Sequence, residues 1–321
     1  MNDTITATTI HTADGGHVRV EVIDVIRGQR AALEAAGDPD RQRAIAAERV
    51  IEPLRPFWEP LLDNPWAPAK ADPDDPVALA AMLSLYPLDG NAEDGLRLLA
   101  RFEEAASLDA CREAVIRAFD LLQPTTHGIE LPTVRVTLTF ANPETPGLMD
   151  RLAGYTGLGG TPGLIHMIAV PTDFNLPRLA SATAHEAHHQ VRLTFEPWDP
   201  ETITVGQYYV LEGLAETFAA ELYGEDSLGP WTSAVPDDEL ARVRPMLRAA
   251  MERTGDPRPY MFGDWSASFS GYEPIGLPDF IGYTAGYRLV RSYLDATGLT
   301  AVEASWKPWR EIVAGSPWIT A

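Results

Sequence analysis

Cysteine is nearly missing from this chain. One residue, Cys111, stands among 321, which excludes an intrachain disulfide framework, and a lone cysteine in an amphipathic segment reads as a small packed hydrophobe rather than a nucleophile. Lysine is almost as scarce: of 25 basic residues only Lys70 and Lys307 are lysine, a compositional bias that carries no function. Positive charge as a whole is short, because 46 acidic residues leave a formal net charge of −21. Such a chain repels a phosphate backbone, so nucleic acid is not an expected partner; the surplus charge serves solubility. No run approaches the ~20 uninterrupted apolar residues of a membrane helix, and no membrane insertion is expected. The opening residues Met1 to Ala7 have neither the basic start nor the apolar stretch of a secretory signal, which makes the cytoplasm the expected compartment. Internal repeats and low-complexity tracts are absent as well.

What the chain does have is apolar content. At 45% hydrophobic residues over this length, it can bury a substantial core without oligomerising. A strand is predicted over residues 17–25, then helices over 27–36 and 41–54. Prolines 56, 60, 65, 68, 73 and 76 are expected to break regular structure and form a covering loop over 56–76. Apolar residues at three- and four-residue intervals predict further helices over 77–86, 92–106 and 108–122, an all-helical layer. After Gln123-Pro124 the period changes to two: Val134, Val136, Leu138 and Phe140 alternate with Arg135, Thr137 and Thr139, the pattern of a strand with one buried face. A glycine-rich run from Gly157 to Gly163 precedes an apolar strand over 164–170. The remainder reads as helices, over 207–223 with Gly224 as its stop, over 237–252, and over 278–296 ended by Gly298; Thr300 to Glu303 is a capping box for the last one.

The run His185-Glu186-Ala187-His188-His189 carries chemistry. On a helix, residues four apart share a face about 6 Å apart, so His185 and His189 can aim both imidazoles at one metal ion. Glu186 starts about 100° round the helix; its carboxylate reaches a water at the metal instead, the general-base position of a zinc hydrolase. His188 could compete as second ligand at i+3, but the 185/189 pair fits the mechanism, which leaves His188 a supporting role. A catalytic zinc takes three protein ligands and keeps one position open. Glu212, in the middle of the apolar pattern Val210, Leu211, Leu214, Phe218 and Leu222, is the candidate third ligand, because a carboxylate inside an apolar helix needs a strong pairing. Glu216, one turn on, could accept the outer N–H of a ligating histidine.

The order of an HEAHH helix, then Glu212-Gly213-Leu214-Ala215-Glu216, resembles the gluzincin metallopeptidases. More narrowly it is similar to the DUF2268 family of predicted zinc-dependent proteases, with the glycine-rich strand before the motif and the late helix Gly282 to Tyr287 in the family's order, over roughly residues 131–316. The resemblance implies an α+β, zincin-like fold, mostly helical with a small mixed β-sheet edging the active-site cleft: a strand plus helical region over 1–130 and a metallopeptidase domain over 131–321. It implies one zinc per chain and a peptide or protein substrate, bound where a sheet edge offers backbone groups to an extended chain. Gly160 and Gly163 would let backbone approach that substrate, with His166 at the rim of the cleft; a plain glycine-rich turn is the alternative. Tyr283 or Tyr287 could donate to the developing oxyanion, or both could be buried packing. Between His189 and Glu212 lie 22 residues, more than in the aminopeptidase-type members, and exo- and endo-cleavage both stay open. Two other readings remain: hydrolysis of a non-peptide amide in a biosynthetic pathway, and a non-catalytic peptide- or partner-binding protein. The intact Glu186 argues against the second, since a structural site has no use for a base.

Overall fold

The computed structural model describes residues 5–11, 17–63, 71–199 and 201–320. It is an α+β protein whose strands form one mixed sheet. The chain divides into two units, Met1–Gln190 and Val191–Ala321.

In the first unit lie the five strands of the described residues: β1 (Ile5–His11), β2 (His17–Ile23), β3 (Val134–Phe140), β4 (Tyr155–Leu158) and β5 (Leu164–Ala169). Their order is β1-β2-β3-β5-β4. The two edge strands run antiparallel to their neighbours, and β2, β3 and β5 are mutually parallel. Sequence periodicity misses β1, which adds an edge to what reads as an all-helical region; Ile5 there is 48% exposed. β3, expected to have one wet face, is covered on both. Thr137 and Thr139 are fully buried, and their hydroxyls are satisfied, Thr137 Oγ1 donating to the Ile23 carbonyl at 2.8 Å and Thr139 Oγ1 lying 2.9 Å from His166 Nε2. Central strands of a parallel array are sandwiched in this way.

The same unit contains helices α1 (Ile26–Glu34), α2 (Pro39–Ala46), α3 (Arg55–Asp63), α4 (Pro76–Met82), α5 (Ala92–Glu104) and α6 (Ser107–Leu122), of which α1, α3 and α6 pack on the strands. The helix predicted over 41–54 continues from α2 into a π-helical turn, Ala47–Ile51. The proline-rich stretch is not all loop. Pro56 occupies the first turn of α3, where no N–H is needed, and Pro60 forfeits one bond; burial of Phe57 and Trp58, whose indole donates to the Ile51 carbonyl at 2.8 Å, outweighs that loss. Of the rest of the expected loop, residues 64–70 lie outside the described residues, and residues 71–75 form a turn that leads into α4. Cys111 is buried in α6 as a core residue, and burial pushes its thiol up to about 11. Helix α7 (Leu179–Phe195) opens after a 3-10 turn at Leu176–Arg178 and runs on past the end of this unit.

The second unit is helical. α8 (Val205–Tyr223) is capped by Thr204, whose Oγ1 accepts from the Gln207 N–H at 3.1 Å, and is stopped by Gly224 at φ 87°. Its pattern reads as a stripe, yet from Tyr209 to Ala220 it is buried on every side. α9 (Asp237–Ala250), α10 (Arg258–Phe262), α11 (Ala267–Ser270), α12 (Ile281–Thr297), α13 (Ala301–Ala304), α14 (Trp309–Gly315) and α15 (Pro317–Thr320) follow. α12 crosses α8 backbone to backbone: a Cβ on Gly213 would lie 2.1 Å from the Gly286 carbonyl oxygen, and one on Gly286 2.5 Å from that of Tyr209. Only glycine permits that approach. The capping box at Thr300–Glu303 forms, though it opens the four-residue α13, with two further helices after it. No helix among the described residues is long and apolar enough to cross a membrane.

Candidate functional site

Polar side chains crowd the buried middle of α7. His185, Glu186, His188 and His189 are each at most 8% exposed, and burying four such groups within five residues is costly unless they are satisfied. Helical spacing sorts them onto faces. His185 and His189 stand one turn apart with ring centroids 4.6 Å apart and planes at 84°. With Glu212, itself buried, they form a group in which each residue offers one ligand atom and these atoms all lie within 4.8 Å of one another. Two imidazoles and a carboxylate are a donor set compatible with a divalent metal, with fewer protein ligands than a closed structural site supplies. Among the described residues no other group of three His, Cys, Asp or Glu is placed this way. His188, fully buried, packs its ring 6.5 Å from that of His189.

Glu186 faces β4 and the turn after it. Gly157 and Gly159 lie so close that a Cβ on Gly157 would sit 2.3 Å from Glu186 Oε1, and one on Gly159 2.7 Å from Oε2. Gly157 on β4 and Gly159 just past its end both present bare backbone to the carboxylate. This pair is what the sequence reading missed, although the i, i+2 glycines were its visible signal. The glycines it nominated behave differently. Gly160 has nothing within 4 Å of where a Cβ would sit, and Gly163 is a turn residue at φ +77° whose N–H is donated to Gln190 Oε1 at 2.6 Å.

His166 is not at a rim. It is 2% exposed, its Nε2 is 2.9 Å from Thr139 Oγ1 and its ring tilts against Phe57 at 5.4 Å. Burial pushes its pKa down to about 3, which keeps the imidazole neutral. The cause is the second covered face of β3 and β5, which alternation alone does not reveal.

On α8, Glu216 is 2% exposed and its Oε1 accepts a hydrogen bond from the Trp231 indole N–H. The Trp231 carbonyl in turn accepts from Thr284 Oγ1 at 2.7 Å, which links α8 to α12. No pattern in the sequence pointed to Trp231. Tyr283, one residue before Thr284, is half-buried among rings, with Trp231, Phe262 and Phe280 each at 6.3 Å. Tyr287 donates its hydroxyl to Glu225 Oε1 at 3.2 Å, and desolvation, with the Glu225 charge second, pushes its phenol up to about 12.

Comparison with known proteins agrees with this geometry. A family model described as "Predicted Zn-dependent protease (DUF2268)" matches residues 117–314. The chain is 33% identical over 258 residues to the uncharacterized protein YjfC of Bacillus subtilis (strain 168), which covers 80% of this chain and 85% of that one. It is 25% identical over 130 residues to the uncharacterized protein YjaZ of the same organism, over 39% of this chain and 46% of that one. No solved structure matches.

Proposed function

Because the chain belongs to the DUF2268 family of predicted zinc-dependent proteases, we propose that it is a zinc-dependent metallopeptidase of the HExxH, gluzincin type, acting on peptide bonds. The observation that carries this reading is the buried group of His185, His189 and Glu212 with its ligand atoms within 4.8 Å. These three residues would hold one zinc per chain. Zinc, when bound, supplies Lewis acidity, lowering the pKa of a water and polarising a carbonyl oxygen.

The chain's own residues do the rest. The Glu186 carboxylate takes a proton from the attacking water and returns it to the leaving amine nitrogen. Its rotamer is restricted by the backbone of Gly157 and Gly159, so orientation is set before substrate arrives. The phenol of Tyr283 donates to the developing oxyanion. Glu216, held by Trp231, and the buried His188 steady the helices that carry the ligands. β4 is last in the strand order among the described residues, and its outer edge would pair with an extended peptide.

Incubating the purified protein with a mixed peptide library tests the reading. Cleavage is expected, lost on chelation and restored by zinc. A library left intact by zinc-loaded protein would overturn it.

A further inference from the structure

One residue beyond His189 lies a side chain that no part of the metal chemistry requires. Gln190 is 3% exposed and uses both ends of its amide. Oε1 accepts the Gly163 N–H at 2.6 Å, and Nε2 is directed at the carbonyls of Gly159, Thr161 (3.0 Å) and Leu164 (3.1 Å). With two hydrogens on Nε2, three carbonyls share them. A single side chain thus holds the turn from β4 to β5, whose backbone groups would otherwise be left to water. Gln190 stands four residues after Glu186, so the two occupy one face of α7, next to the face of His185 and His189. Both members of this second face meet the same short segment: Glu186 against Gly157 and Gly159, Gln190 against Gly159 to Leu164.

We infer that Gln190 is a positioning residue for Glu186: by gripping the β4–β5 turn it sets the glycine backbone against which the carboxylate is seated. The inference rests on the reading of Glu186 as the base. Gly159 joins the two contacts, because its carbonyl is held by Gln190 while its backbone lies against Glu186. Without the grip, the turn is free to lift from α7, and the carboxylate gains room to rotate away from its task.

The experiment compares the zinc-loaded wild type with Gln190→Met, which keeps length and volume but has neither donor nor acceptor. Zinc content, crystal structures, and kcat and KM on an internally quenched peptide chosen from the library are measured. Zinc is expected to stay at the wild-type level, KM to change little, and kcat to fall about a hundredfold, the scale of a small misplacement of a reacting group. The variant's crystal structure should have Glu186 displaced from Gly157 and Gly159. If Gln190→Met does not fold, Gln190→Asn, one methylene shorter with the amide retained, is expected to give the same pattern in weaker form. Glu186 seated as in the wild type, kcat retained, or zinc and kcat lost together would each overturn the inference. Should the wild type cleave no peptide, the protease reading falls, while a displaced Glu186 in the variant still supports the positioning role and an undisplaced one removes it.

Discussion

Glu186 and Gly157 are in direct contact, the carboxylate against bare strand backbone, so that a Cβ on the glycine would fall 2.3 Å from Oε1. In a strand with open space beside it, glycine to alanine is stabilising by roughly 0.5–1 kcal/mol. At Gly157 the sign should reverse. Gly157→Ala is expected to lower Tm and to reduce kcat by on the order of a hundredfold with zinc retained. Thermal unfolding and zinc analysis, run beside kinetics, check this; a raised Tm would mean the contact is absent.

The ligands and the base should separate cleanly. His185→Ala, His189→Ala and Glu212→Ala each remove a donor from the buried group, and zinc is expected to be lost on dialysis. Glu186→Gln should keep zinc and lose turnover by about a hundredfold or more. Elemental analysis of each variant decides the matter, and a Glu186→Gln protein free of zinc would make Glu186 a ligand.

Removal of the Tyr283 hydroxyl should act on the transition state alone. Tyr283→Phe is expected to lower kcat by about 2.7–4 kcal/mol of activation free energy, with KM nearly unchanged. Tyr287→Phe gives up a partly exposed bond to Glu225 and should cost at most about 1 kcal/mol of stability, with kcat near wild type. Equal kcat in both variants and the wild type would reduce α12 to packing.

Buried His166 gives the fold a sensitivity to acid. Its pKa drops from 6.5 to about 3, so above pH 6.5 the native and unfolded imidazoles are both neutral and its contribution is complete. As pH falls from there towards 3 the unfolded chain takes up a proton that the native ring refuses, and stability drops by at most about 1.4 kcal/mol per pH unit. Urea unfolding at pH 7 and pH 4.5 should therefore cost the wild type more than His166→Gln, which has no titrating ring beside Thr139. Parallel losses in the two proteins would mean the native ring is protonated.

Local rules account for what was legible in the sequence. The i, i+4 spacing places His185 and His189 on one helix face whatever surrounds them, and caps act within a few residues, so the Gly224 and Gly298 stops and the Thr300–Glu303 box were all readable. Strong amphipathic periods likewise delivered α5 and α6 to within about two residues. Other features needed the tertiary structure. β1 exists because β2 is there to pair with it, and α3 survives its prolines because Phe57 and Trp58 are buried. His166 is enclosed because β3 and β5 are covered on both faces, and Glu216 meets Trp231, fifteen residues on, in a turn that no period predicts. The sequence by itself determined that His185 and His189 share one face of a helix with Glu186 about 100° round it, since that is helix geometry. Only the tertiary structure decided how Glu186 is seated, because the contact with Gly157 and Gly159 and the Gln190 grip join segments about thirty residues apart in the chain, and such pairings arise from packing rather than from any local pattern.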